Sequence, residues 1–226
     1  ATSVLVSINV TAVNDAPTLS AGTLATATNE DTALSISLAN LLTATGAADV
    51  DGTVVSATVT SVSSGTLQIN EGSGFVAYVA QVIDGTDVLE WTPALNVNGL
   101  AIAAFNIEVT DNGTPGSATS ATSVLVSINV TAVNDAPTFS AIGLLSPFPV
   151  ANYDQSLGIA WASSMSVGPA NENPPQVLTG FTLNVVNTVG TPTWLAAPAI
   201  NVGTGLLTFN IDPASLDFIR VYSVTL

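Results

Sequence analysis

The sequence predicts an all-β protein: tandem β-sandwich domains with an extra N-terminal strand and an incomplete C-terminal sandwich. Three observations predict it. The eighteen residues Ala1–Thr18 recur unchanged at Ala121–Thr138, an offset of 120, which is the length of a whole domain rather than of a solenoid turn. Short stretches of β-branched residues alternate with polar ones at a period of two. Turn-forming clusters of Asp, Asn, Gly and Pro separate those stretches every 8–12 residues or so, as in two-sheet sandwiches.

In the repeated segment, Val4, Val6, Ile8 and Val10 alternate with Leu5, Ser7, Asn9 and Thr11, the pattern of a half-buried strand. Val13–Pro17 follows as a polar corner, where Pro17 has no N–H to donate and biases Ala16 toward extended backbone. The repeat therefore reads as the closing strand of one domain plus the linker into the next. This divides the chain into 1–17, the last strand of a preceding or neighbouring domain with its linker; 18–137, one full sandwich; and 138–226, a second sandwich lacking its last strand.

Within 18–137 the expected order is an extended segment to Thr28, the turn Asn29–Thr32, and alternation at Leu34, Ile36 and Leu38. A short helical turn is expected at Asn40–Leu42, then the polar loop Ala48–Gly52 and a strand over Val54–Val62. Leu67–Ile69 and Phe75–Ile83 form a hairpin with the tip Glu71–Gly74, and Val88–Thr92 ends at Pro93. Ala101–Thr110 is a long strand presenting Ala103, Phe105, Ile107 and Val109 on one face; Asp111–Gly116 turns it into the second repeat copy. The second unit is interrupted by Pro147, Pro149, Pro174 and Pro175. Strands are expected there at Phe181–Val186, Leu206–Ile211 and Phe218–Thr225, and Leu216–Leu226 matches Leu100–Thr110 in pattern.

Composition narrows the chemistry. There are 16 acids against one base, Arg220, for a formal charge of −15. A basic patch for nucleic acid cannot form, and docking on anionic membranes is disfavoured. No apolar run is long enough to span a bilayer, and no secretory leader is visible at the N-terminus. With no Cys, His or Lys, disulfides, thiolate and imidazole metal sites, Ser-His or Cys-His nucleophiles, Schiff bases and Lys–Asn isopeptide staples are excluded. The carboxylates, amides and hydroxyls that remain are a hard-oxygen ligand set suited to calcium. Asp84 and Asp87 could suggest glycoside hydrolysis, which needs two acids across a cleft, but small sandwiches with polar hairpin loops rarely supply one. Trp91, Trp161 and Trp194 read as core anchors before sugar platforms. The sequons at Asn9, Asn112 and Asn129 fit secretion, and Arg220 carries no assigned role.

Several motifs carry a resemblance. Val13-Asn14-Asp15-Ala16-Pro17 and its copy from Val133 to Phe139 resemble the inter-domain linker of cadherin repeats. Thr110–Pro115 resembles the cadherin Asp-x-Gly-x-Pro turn before the last strand, Asp49–Gly52 its Asp-x-Asp loop, and Asn29–Thr32 its glutamate-bearing turn. In this order the set is similar to the cadherin-like repeats of giant bacterial surface adhesins. The second unit, with Trp161, Gly168–Glu172 and Gly205–Phe209, resembles a related immunoglobulin-like repeat. The resemblance implies an extracellular or cell-surface location and rods stiffened by calcium at the junctions. Its first junction would gather Asn14, Asp15, Asp49, Asp51 and Asp111, and its second Glu30, Asp87, Asn134, Asp135 and Glu172. Taken singly, Asp, Asn and Gly in loops are ordinary turn formers; the ordered set is what points to a metal. The linker carries one Asn-Asp pair where cadherins have a longer acidic run, and the second unit has no Asp-x-Asp loop.

The function expected is mechanical: a fibre or adhesin stalk, not an enzyme, whose partners are neighbouring copies or domains of the same protein, with a cell-surface or glycan ligand left open. One alternative is a subunit that polymerises head to tail by donating residues 3–13 to a neighbour's open sandwich. Another is a carbohydrate-binding accessory module of a secreted enzyme.

Overall fold

The computed structural model describes residues 2–141, 158–172, 175–186, 194–211 and 221–225. Pro147, Pro149, Pro174, Phe218 and Arg220 lie outside them. The chain divides into two units, Ala1–Val133 and Asn134–Leu226.

Unit 1 contains β1 (Gly22–Thr23), β2 (Thr28–Asn29), β3 (Leu34–Ser37), α1 (Leu38–Thr45), β4 (Val54–Val62), β5 (Thr66–Asn70), β6 (Phe75–Ala77), β7 (Val82–Ile83), β8 (Val88–Thr92), β9 (Gly99–Asp111) and β10 (Val124–Thr131). One sheet runs β1-β10-β9-β4-β7, with β2 also on β10; the other runs β3-β8-β5-β6. Inward residues of both sheets form one core, in which Ile36, Ile69, Leu89, Trp91, Phe105, Ile107, Val126 and Ile128 are buried. Strict alternation along β5 and β8 supplies it: Leu67 and Ile69, then Leu89 and Trp91, face in while their neighbours are half-exposed or, at Thr66, exposed. Trp91 Nε1 donates to the Ser64 carbonyl at 2.8 Å, so the ring is buried without an unpaired donor.

Three expectations need correction. The helical turn at Asn40–Leu42 is an eight-residue helix. Ser37 and Asn40 form a reciprocal capping box at its start, and Gly46 ends it in the left-handed region, φ 57°; these caps satisfy the end groups that a short helix leaves open. The expected strand Phe75–Ile83 is two strands in different sheets, β6 on β5 and β7 on β4. Tyr78 pins the crossing: its hydroxyl donates to the Gln81 carbonyl at 2.6 Å and accepts from Val59 N at 2.8 Å. On β9, Ala103 is exposed and Ala104 is buried, because a register shift opposite Val126/Ser127 breaks the alternation.

Residues 2–13 join no strand ladder among the described residues and are exposed. Their copy is β10, paired antiparallel with β9 and parallel with β1 and β2. Val126 and Ile128 are fully buried, whereas Val6 and Ile8 are 77% and 80% exposed. One sequence thus takes two states, and what distinguishes them is a partner strand for the backbone groups and a sheet for the side chains.

Unit 2 contains β11 (Thr138–Ala141), β12 (Ile159–Ala160), β13 (Ala162–Ser166), β14 (Thr182–Val186), β15 (Trp194–Ile200), β16 (Leu206–Ile211) and β17 (Val221–Thr225). They pair as β11-β13, β12-β16-β15 and β14-β17, all antiparallel. Phe139 lies between Trp161 and Phe181, with ring centroids 5.7 and 5.6 Å away, and Ala162, Ile200, Leu207 and Phe209 are buried.

Candidate metal centre

Three segments of unit 1 meet at one pole: the linker Asn14–Pro17, the loop between α1 and β4, and the turn after β9. Pro17 is buried there, and Thr18 bridges Ala48 through two backbone hydrogen bonds. Asn14 Nδ2 donates to Asp111 Oδ2 at 2.9 Å, and Asp15 N donates to the Asp51 carboxylate at 3.3 and 3.4 Å. Asp51 N in turn donates to Asp49 Oδ1 at 3.4 Å. Asn112 Oδ1 accepts from Thr53 N at 2.9 Å, tying the two loops together. The pole is tight at two glycines. A β-carbon on Gly113 would overlap the Asn14 amide, and one on Gly52 would stand 2.7 Å from Asp49 Oδ2.

Asp111 is 1% exposed. Burial pushes its carboxyl up, but hydrogen bonds from Ala118 N, the Asn14 side chain and Gly113 N, together with the neighbouring Asp49 side chain, outweigh this and hold it below its ordinary value. Among the described residues there is no Lys or Arg; the one base of the sequence, Arg220, lies outside them.

Among the described residues, four buried side-chain oxygens have no hydrogen-bond partner: Asn14 Oδ1, Asp49 Oδ2, Asp135 Oδ2 and Glu172 Oε2. All four belong to the ten residues singled out from the sequence. A buried polar atom left unpaired costs about 1–3 kcal/mol, and oxygens of this kind are what a hard divalent cation takes. The donor set therefore fits calcium. Among the described residues no three Asp or Glu side chains form a ready-made metal cluster; the acids are instead interleaved with Asn14, Asn112 and backbone N–H groups.

The remaining predicted residues are placed differently. Glu30 is buried between β2 and β3, with Oε1 accepting from Val133 N at 2.6 Å and Oε2 from Asn98 Nδ2 at 3.0 Å. Both of its oxygens are thus engaged by the protein, and it clamps the chain just beyond β10. Asp87 accepts from Asp84 N at 2.8 Å within the β7–β8 turn; Asp84 accepts from the amide and hydroxyl of Thr86, bonds that hold its carboxyl below the ordinary value. These two acids brace one turn. In unit 2, Asp135 N donates to Glu172 Oε1 at 2.8 Å, Glu172 is buried, and Gly168 packs against both at a φ of 119°. Asn134 is exposed, and its Nδ2 donates to the adjacent Asp135 carbonyl at 3.3 Å. The two linker copies share one feature: the backbone N–H of Asp15 and that of Asp135 each donate to a carboxylate of the unit that follows.

Sequence reasoning missed Asn112 and Asn98. Asn112 is visible within Asp-Asn-Gly, where it reads as a turn residue and a sequon rather than as part of the pole. Asn98 had no local signal, since its partner Glu30 is far away in sequence.

The model of the cadherin-like domain matches residues 13–129, just over half of the chain. The chain belongs to the cadherin-like domain family. The match takes in the linker corner at Val13, all the loops of the pole and most of β10. Cadherin-like domains are adhesive or structural modules, typically extracellular and commonly calcium-binding. No curated protein matches the chain. Among the described residues no helix is long and apolar enough to cross a membrane.

Proposed function

We propose that this cadherin-like chain is a structural segment of an extracellular fibre or adhesin stalk, stiffened by calcium at the poles where linkers enter the sandwiches. The observation that carries this reading is the identity of the four unpartnered buried oxygens, all on linker or loop residues expected as ligands. In unit 1 the ion would be held by Asn14, Asp15, Asp49, Asp51 and Asp111; in unit 2, Asp135 and Glu172 form the corresponding seat. Bound calcium would supply the positive charge that lets these carboxylates share one pole.

The protein's own part is to bring the oxygens together. Asp111 and Asn14 fasten the linker to the turn after β9, and Asp51 fastens it to the loop before β4. Gly52 and Gly113 leave the room this requires. An ion that binds only the folded form raises stability by about 2.7 kcal/mol at a hundred times its dissociation constant. Thermal unfolding with calcium and with a chelator tests the proposal. The midpoint is expected to rise with calcium, and less so in Asp49→Asn; an unchanged midpoint rejects it.

A further inference from the structure

Another chain can join a sandwich at a sheet edge, where backbone groups lack a partner strand. Among the described residues the edge strands of unit 1 are β1 and β2 on β10, β7 on β4, β3 on β8 and β6 on β5. Of these only β6 and β7 carry exposed large apolar side chains: Phe75 and Val76 on β6 are 40% and 52% exposed, and Val82 on β7 is 61% exposed. Val79, on the crossing between them, is 76% exposed. Val76 stands opposite Ile69, which is fully buried. It therefore belongs to the inner face of its sheet, and β6 overhangs the core.

The backbone of β6 is open in a definite pattern. Tyr78 N donates to the Leu67 carbonyl at 3.1 Å. Hydrogen-bonded pairs alternate along an antiparallel ladder, so Val76, two residues back and opposite Ile69, also turns its N–H and C=O toward β5. Those of Phe75 and Ala77 face the other way, where no described strand lies. Beyond them the edge is shut: Val79 N, the next outward amide, donates to Gln81 Oε1 at 2.7 Å. Natural edges are commonly guarded by a charge, a proline or a bulge; Gly72–Ile83 contains no charged residue and no proline. In a chain with a formal charge of −15, two copies can meet along this stretch without setting acid against acid.

We propose that β6 pairs with β6 of a second copy of this chain, antiparallel about a two-fold axis at Val76. Phe75 of each copy then exchanges both backbone hydrogen bonds with Ala77 of the other, and Val76 faces Val76. The two four-stranded sheets join into one, and the uncovered side of each Val76 is closed by its mate. Antiparallel order also carries the two Glu71 carboxylates to opposite ends of the pair, whereas parallel order would bring them side by side. The same patch is used on both copies, so the contact closes as a dimer. It uses no residue of the metal pole.

The chain has no cysteine, so a single one can be placed on the axis of the full chain. The Cα atoms of a non-hydrogen-bonded antiparallel pair lie about 4.5 Å apart, within the disulfide range of about 4.4–6.8 Å. Val76→Cys is oxidised at rising protein concentration, in chelator, and run on non-reducing gels beside Leu100→Cys, a control at a position 86% exposed on β9. A covalent dimer and nothing larger is expected from Val76→Cys, formed faster than in the control. Adding Ala77→Pro removes an outward N–H and no bond to β5, so the dimer should be lost while the unfolding midpoint read from Trp91 holds. A second variant, Val76→Asp without the cysteine, sets two carboxylates together on the axis at a half-exposed position. Sedimentation should then show the parent's concentration-dependent dimer replaced by monomer. Trapping no faster than in the control, a trapped dimer that survives Ala77→Pro, or a parent chain that sediments as monomer at every concentration overturns the proposal. Because chelator is present throughout, a dimer found there stands whatever calcium does to the melting midpoint.

Discussion

The duplicated segment permits one substitution to be made twice in the same local sequence. Ile128→Ala removes three carbons from a fully buried side chain of β10, seated between β9 and the parallel β1 and β2. At about 0.8 kcal/mol per carbon, the transfer loss is about 2.4 kcal/mol. A cavity in a two-sheet core adds to it, giving about 3–4 kcal/mol, within the range for Ile→Ala. For a unit of this size that lowers the melting midpoint by roughly 10 °C. Ile8→Ala makes the same chemical change at a position 80% exposed, and the expected change is within about 0.5 kcal/mol. The assay is thermal unfolding in dilute solution, followed by the fluorescence of Trp91, which reports unit 1 from its core. Equal losses at the two positions would show that residues 1–13 are packed. A negligible loss at Ile128 would show that β10 does not close the sandwich. Either result would refute the reasoning.

At the pole, Gly113→Ala should expel the Asn14 amide from its seat and lose the bond to Asp111, costing about 1–3 kcal/mol. Asn14→Gly in the same chain should recover part of that loss, since the pair is coupled through one contact; a double-mutant cycle by chemical denaturation reads it. Acid should act through Asp111, whose folded carboxyl lies below its ordinary value. A lowered carboxylate contributes stability that is present above about pH 4 and is lost as pH falls through the lowered value. Unfolding midpoints should therefore drop over that window in the parent chain and drop less in Asp111→Asn. Glu30→Ala leaves Val133 N and the Asn98 amide without their acceptor. It should destabilise unit 1 by about 1–3 kcal/mol, measured by the same unfolding curves, whereas Asp31→Ala, which frees a single exposed amide bond to Asn96 N, should cost less.

Much of this protein is written locally. Alternation at Val54–Val62 and Val88–Thr92 marks β4 and β8 to the residue, because side chains on a strand face opposite sides in turn and a half-buried sheet needs every second one apolar. The acidic loop at Asp49–Gly52 and the turn at Asp111–Gly113 announce an oxygen-rich pole by residue type alone. The helix α1 was only half visible, since its length depends on a capping pair, Ser37 with Asn40, that period counting does not weigh. The splitting of Phe75–Ile83 between sheets, and the turn of Ala103 toward solvent, depend on bulges and on a tyrosine that bonds across the crossing. Such features are set by distant neighbours. So is the clamp of Glu30 on Val133 and Asn98.

Sequence alone determined that the chain is β-rich, acidic and without Cys, His or Lys, and that its loops offer oxygens. It also determined that one closing strand is present twice. Tertiary structure decided that residues 124–131 close the sandwich of unit 1. A strand's backbone groups are satisfied only by a neighbouring edge, and its apolar face is covered only by a second sheet. Among the described residues, 124–131 have both and 4–11 have neither, although no residue distinguishes them.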